Sequence, residues 1–418
     1  MKYVLVIGDG MADTGLGQLA GKTPLEALAL PAFDRVASGR LGRVRTVPEG
    51  LPPGSDTAIL SIFGNDPRQC YTGRSVLEAA GMGVPVRAGE ASFRVNLCAV
   101  TEENAQPTLQ SHNGGSIHGA EAATLMADLL ADASFAALLK RIGLTLHPTD
   151  TFRHIGVLAF AGGDVGSLRC TEPHNVLGQA VGRHWPRALE GASADVARIA
   201  ADLREVMEAS YRLLREHPVN RRRVAQGKLP ANMLWPWGAA TAMSLSSFAS
   251  KYGHGGSVVS AVPLVWGIAS LMGLATPRVE GANGDLDTNY EGKVAAALAA
   301  LRNGADFAAV HIEAPDEMAH AGNLAAKLEA IQNVEYRVVG PLMAALDQSG
   351  EPYRLLLLSD HPTLLTTRTH DGAPVPYAIY DSRRAGEPPV KFCERSARAM
   401  PLEEDGATLM KLLFEQAN

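Results

Sequence analysis

"YVLVIGDG", residues 3–10, is an apolar, β-rich run that ends on an aspartate, Asp9. Two later stretches repeat its grammar. "DFAAVHIEAPDEMAH" (306–320) is a strand-like run followed by a loop carrying Asp316 and His320, and "RLLLLSDHP" (354–362) ends on Asp360-His361. Such runs alternate with Ala/Leu-rich helical stretches, which is the pattern of an α/β fold with a mostly parallel sheet and helices on both faces. In a parallel sheet the carboxyl ends of the strands share one edge, and ligands bind there. Three strands therefore bring acids and histidines to one rim.

The chain of 418 residues is too long for one ordinary core, so two domains are expected. From about 95 to 228 the texture changes. A helix is expected over 119–142, a strand over 153–160, a Gly-, His- and Pro-rich segment over 161–186 and a charged helix over 195–216. This reads as an α+β domain, 91–229, inserted into a core formed by 1–90 and 230–418, with linkers near 86–94 and 226–232. An insertion at the carboxyl rim would act as a cap that keeps water from a transfer reaction.

A net charge of −6 gives no reason to expect nucleic acid or an acidic membrane as partner. Cys70, Cys98, Cys170 and Cys393 are scattered without a C-x-x-C pair, which argues against a disulfide framework and for a reducing, cytoplasmic setting. The run "VVSAVPLVWGIASLMGLA" (258–275) is interrupted by Pro263 and two glycines, and reads as a buried strand entering a packed helix rather than as a membrane span. Oligomeric state leaves no trace in the sequence.

The stretch "LPPGSDTAILSIFG" (51–64) holds Ser55 behind two prolines and a glycine, at the start of a helical run. Taken singly, Ser55 is an ordinary helix cap, Asp9 a loop or cap residue, and His320 and His370 packed or surface histidines. Taken together, Asp9, Ser55, Asp316, His320, Asp360, His361 and His370 form a set of oxygen and imidazole donors without cysteine, which suits Mn²⁺, Zn²⁺ or a similar cation. Seven such groups are too many for one tetrahedral ion and suit two. Two divalent ions (+4) against three carboxylates (−3) leave +1, which attracts phosphate and favours ionisation of a hydroxyl. Ser55 is then the candidate nucleophile. Gly8-x-Gly10 is not read as a dinucleotide fingerprint, because Asp13 stands where its third glycine belongs.

At these residues the chain resembles the archaeal-type cofactor-independent phosphoglycerate mutases of the alkaline phosphatase superfamily, nearly end to end. The blocks that carry the resemblance are "GDGMAD", "PPGSDTAILSIFGNDPRQCYTGRSVLEAAGMG", "HPVNRRR", "ANMLWPWG", "EGANGDLDTNYEGK", "EAPDEMAHAGN", "LLSDHPT" and "THDGAPVPYAIYD". The resemblance implies an alkaline-phosphatase-like core and a phosphoserine intermediate on Ser55. Phosphate would pass between the hydroxyls of a phosphoglycerate, interconverting the 2- and 3-isomers in glycolysis without 2,3-bisphosphoglycerate. It implies two divalent ions, Mn²⁺ or Zn²⁺ first and Co²⁺ or Mg²⁺ after them. One would be held by Asp9, Ser55, Asp360 and His361, and the other by Asp316, His320 and His370. The inserted domain would bind a small phosphorylated metabolite, with Arg153, His174 and Asn175 the first residues to consider. Two departures stand out. The turn "LQSHNGGSIHGAEA" (109–122) lacks the arginines of the relatives, and Trp266 stands where they often carry lysine. These keep a related phosphotransferase, such as a homoserine kinase-like enzyme, or a metal-dependent phosphatase open as alternatives.

Overall fold

The computed structural model describes residues 1–103, 106–160, 164–384 and 388–415, so the first three residues of the 161–186 segment lie outside it. Contacts divide the chain into two units, Met1–Tyr71 with Ser244–Asn418, and Thr72–Met243.

The first unit is built on a seven-stranded sheet. Its order is Gly256–Val259, Phe307–Ile312, Lys2–Gly8, Tyr353–Leu358, Val375–Asp381, Arg40–Val44 and Leu402–Glu403. The first three pairings are parallel, as is the last. Val375–Asp381 runs antiparallel to both of its neighbours. The apolar runs are continuous because parallel strands covered on both faces have no solvated side to alternate with. Phe307–Ile312 is buried at every position, and Lys2–Gly8 at every position but the first. Gly8 pairs with Ile312, and Ile7 with Leu358, so Asp9, Glu313 and Ser359-Asp360 leave the sheet side by side. The stretch 258–275 divides into the strand Gly256–Val259 and the helix Pro263–Leu271.

The loops at that edge are tied from below. Lys327, fully buried on the helix Leu324–Asn333, donates to Asp13 Oδ2 at 2.8 Å, to the Thr363 carbonyl at 2.7 Å and to the Ala12 carbonyl at 3.4 Å. It thereby fixes the loop after the first strand to the loop that follows His361. Both members of this ion pair have fully buried side chains.

The second unit has an antiparallel sheet in which Glu90–Glu103 pairs with Gln106–Ser111, Arg153–Ala159 and Met233–Thr241. Leu144–His147 completes it on the far side of Arg153–Ala159. The boundaries expected from sequence, at 86–94 and 226–232, thus give way to 71/72 and 243/244. The reason is hydrogen bonding: 90–103 and 233–241 lie in one ladder with 153–159, and the helix Arg74–Gly81 also falls within this unit. The helix expected over 119–142 is two, Gly119–Ala131 and Ala133–Ile142, bent by 74°. Asp132 makes the break, its carboxylate accepting from the backbone N–H groups of Ser134 and Phe135 as an N-cap. Among the described residues no single helix is long and apolar enough to cross a membrane. This bent pair passes on length and composition together, but its Leu125, Leu129, Phe135 and Leu139 are buried in the unit's own core.

Replacing Lys327 by Met leaves the Asp13 carboxylate buried without its counterion. A loss of about 3–5 kcal/mol in unfolding free energy is expected by urea titration, with part of it recovered in Asp13→Asn/Lys327→Met.

Candidate active site

Ser55 is the first residue of the helix Ser55–Ile62, and its hydroxyl does not cap that helix. Its Oγ lies 3.1 Å from His361 Nε2 and 3.4 Å from Asp9 Oδ2 instead. The ordinary reading of Ser55 as a cap therefore fails on geometry.

Asp9 and Asp360 approach this hydroxyl from two adjacent strand ends. Asp360 Oδ1 accepts from the backbone N–H groups of Gly10 at 3.1 Å and of His361 at 2.9 Å. Among the described residues, Asp360 Oδ2 and Asp9 Oδ1 are buried without a hydrogen-bond partner, with His361 Nε2 standing 3.3 and 3.6 Å from them. Two carboxylate oxygens in that condition are costly unless a cation meets them. Burial, followed by the charges of Asp360, Asp316 and Glu313, pushes the Asp9 carboxyl well above its ordinary value. Negative charge is thus in excess at this point.

A second group forms alongside. His320 Nε2 is 3.2 Å from Asp316 Oδ2, His370 Nε2 is 3.5 Å from Asp316 Oδ1, and the two imidazole nitrogens are 2.9 Å apart. Two nitrogens at that separation need a proton or a cation between them. His320 Nδ1 donates to the Arg368 carbonyl at 2.9 Å, and His370 Nδ1 to the Pro53 carbonyl at 3.3 Å. With Nδ1 committed, Nε2 is the nitrogen whose lone pair a cation would take. Burial opposes ionisation of Asp316, but the hydrogen bonds from His320 and His370 outweigh it and hold its carboxyl well below the usual range. The same hydrogen bond with Asp316 lifts His320 to about 9, so a cation arriving here displaces a proton.

Thr363 links the groups. Its hydroxyl donates to Asp316 Oδ1 at 2.5 Å and accepts from His361 Nδ1 at 3.2 Å, which leaves His361 Nε2 bare toward Ser55. Asp9, Asp360 and His361 on one side, and Asp316, His320 and His370 on the other, each present donor atoms within 4.8 Å of one another. Their oxygen and imidazole chemistry fits a pair of divalent cations.

Comparisons with known proteins identify the family. Residues 37–220 match the family model described as 2,3-bisphosphoglycerate-independent phosphoglycerate mutase. An enzyme of that description from Methanothrix thermoacetophila is 44% identical over 91% of both chains. A relative from Geobacter sulfurreducens is 42% identical over 100% of both. This chain belongs to the 2,3-bisphosphoglycerate-independent phosphoglycerate mutase family. The solved cofactor-independent phosphoglycerate mutase of Thermoplasma acidophilum shares its fold, with a TM-score of 0.63 at 24% identity over 99% of each chain.

Of the three residues expected to bind substrate in this family member, two fall in one cluster of the second unit. The Arg153 guanidinium lies over the Phe152 ring, 4.9 Å from its centroid, and the His174 ring is 5.4 Å from that of Trp237 and 6.1 Å from that of His112. Asn175 sits exposed at the end of the turn Pro173–Asn175, and no contact joins its side chain to that cluster among the described residues. Sequence reasoning missed Arg74 and Arg94, which grip Glu78 at 2.8 and 2.9 Å, with Arg94 stacked 4.0 Å from the Trp237 centroid. Burial above all lowers Arg94 to about 10; Glu78 opposes this, and the charges of Arg74 and Arg153 add to it. The signal was a lone charge in the apolar run "ASFRVNLCAV" (91–100).

The turn without arginines is held by one from elsewhere. Arg223, buried, donates to the carbonyls of Gly114 and Gly115 at 2.8 and 3.3 Å and pairs with Glu121 at 2.6 Å. Trp266, the other departure, lies under the guanidinium of Arg278, 3.2 Å from its ring centroid.

Gly10 has φ +61°, and a Cβ there would lie 2.8 Å from Asp316 Cα and 2.6 Å from Thr363 Oγ1. Gly10→Ala should cost more than about 1 kcal/mol in denaturant unfolding and abolish activity, because it separates the two groups that flank it.

Proposed function

We propose that this protein interconverts 2-phosphoglycerate and 3-phosphoglycerate through a phosphoserine intermediate on Ser55. The observation that carries this reading is the Ser55 hydroxyl held against Asp9 and His361, beside two buried carboxylate oxygens that lack partners. Ser55 Oγ attacks phosphorus, the bond from phosphorus to the substrate oxygen breaks, and the serine proton passes to that oxygen. The neighbouring hydroxyl then attacks the same phosphorus, freeing Ser55 and returning a proton to it. Atoms and charge balance without a phosphorylated cofactor.

Asp9, Ser55, Asp360 and His361 would hold one divalent ion and Asp316, His320 and His370 another, Mn²⁺ or Zn²⁺ before Co²⁺ or Mg²⁺, which when bound supply the positive charge that favours serine ionisation and offsets phosphate. The chain's own part is orientation. The helix start places Ser55, the strand ends place Asp9 and Asp360, the helix Ala314–His320 places Asp316 and His320, and Thr363 sets the His361 tautomer.

The second unit is the substrate-binding unit of this reading. Arg74, Arg94 and Arg153 around a single Glu78 favour a doubly anionic substrate, carboxylate and phosphate together, over the uncharged side chain of a homoserine-type acceptor. A glycolytic step in the cytoplasm fits the four free cysteines.

The direct test supplies Mn²⁺-loaded protein with 3-phosphoglycerate and follows 2-phosphoglycerate by NMR, in the wild type and in Ser55→Ala. Conversion by the wild type, lost in Ser55→Ala and after chelation, is expected. Inorganic phosphate as the main product would favour the phosphatase, and full activity in Ser55→Ala would remove the nucleophile. For the second unit, Arg153→Ala should raise KM about 10- to 100-fold with kcat changed far less, since its side chain is exposed and one charged contact is lost.

A further inference from the structure

We propose that His311 is the positioning residue that fixes Asp9 with one oxygen turned toward a cation, and that Ser260 sets its tautomer. This rests on the two-cation reading of the site above. His311 is the one imidazole within the otherwise apolar strand Phe307–Ile312, and it is 1% exposed. Its Nε2 lies 3.1 Å from Asp9 Oδ2, and its Nδ1 lies 3.2 Å from Ser260 Oγ.

The direction of each hydrogen bond follows from what each group can give. As the ligand of a cation Asp9 is a carboxylate, which only accepts, so His311 Nε2 carries the proton and donates it to Asp9. A neutral imidazole then has a bare Nδ1, which must accept. Ser260 Oγ already accepts the Val262 backbone N–H at 3.0 Å, so its single proton is free to point at Nδ1. The chain reads Val262 N–H to Ser260 O–H to His311 N–H to Asp9.

This tautomer is the opposite of that at the three other histidines. In His320, His361 and His370, Nδ1 is engaged by a carbonyl or by Thr363, and Nε2 is turned to the site. His311 turns a protonated Nε2 inward and so acts as a donor to a ligand. Its hydrogen bond, with that of Ser55, falls on Asp9 Oδ2 and leaves Oδ1 without a partner. Partners of this kind orient the ligand and are worth roughly 10- to 100-fold in metal affinity. Lys293 Nζ, buried, donates to the His311 carbonyl at 3.3 Å and holds the backbone of the same residue.

The test is Mn²⁺ titration by calorimetry on the full chain, with bound metal counted by elemental analysis. Wild type, Asp316→Asn, His311→Leu, His311→Gln and Ser260→Ala are compared, each checked for folding by circular dichroism. The wild type should bind two ions. His311→Leu, which has no donor, should keep the site of Asp316, His320 and His370 and bind at the other about 10- to 100-fold more weakly. His311→Gln, whose amide can donate to Asp9, should recover most of that loss. Ser260→Ala, which leaves the histidine in place, should weaken the same site by a smaller factor. Two ions bound by His311→Leu with wild-type affinities would overturn the inference, as would a folded His311→Gln no better than His311→Leu. If His311→Leu does not fold, wild-type binding by Ser260→Ala overturns it. A wild type that binds no Mn²⁺ would overturn the two-cation reading itself, a result separate from the failure of His311 alone.

Discussion

Asp9 Oδ1 and Asp360 Oδ2 are ionisable oxygens buried around His361 Nε2, and among the described residues neither has a hydrogen-bond partner. Left so, each would cost several kcal/mol, and a stable fold tolerates that only where a ligand of opposite charge relieves it. The rest of the core can be read as a means of keeping this frustrated pair in place beside one hydroxyl. Parallel pairing of Lys2–Gly8 with Phe307–Ile312 and Tyr353–Leu358 brings the two carboxylates out at the same edge. The glycine between them admits the Asp316 backbone at a distance that a side chain would forbid.

Support for the site comes from groups that never reach it. Lys327 and Asp13 clamp the two ligand-bearing loops from inside the core, and Thr46 donates to the Asp360 carbonyl. Thr363 spans from Asp316 to His361 and so makes one network of two donor groups. Precision at Ser55 therefore depends on hydrogen bonds spread over loops far apart in sequence. A change in any of them is felt as a displacement of the donors rather than as loss of a ligand.

The strands and their acids were legible because an apolar run ending in Asp is a local pattern. The same holds for the proline-glycine turn before Ser55. The boundaries of the second unit were not, since the ladder joining 90–103 to 233–241 is closed by residues far apart in the chain. The break at Asp132 was hidden because a helix cap in mid-sequence looks like a polar residue on a helix face. His311 was missed for a related reason: in sequence a lone imidazole in a buried strand looks like a packed residue, and only the positions of Ser260 and Asp9 give its protons a direction. Arg94 and Glu78 were obscured by lying on a strand and a helix whose pairing the sequence does not announce.

The claim on which all of this turns is the proposal that Ser55 belongs to one cation site and has a second beside it. The most direct measurement is a crystal structure of the chain grown with Mn²⁺, with data collected at the manganese edge. Two anomalous peaks are expected, one bounded by Asp9, Ser55, Asp360 and His361 and the other by Asp316, His320 and His370. Fully ordered side chains at these positions with no peak between them, or peaks that leave Ser55 outside their reach, would contradict the account.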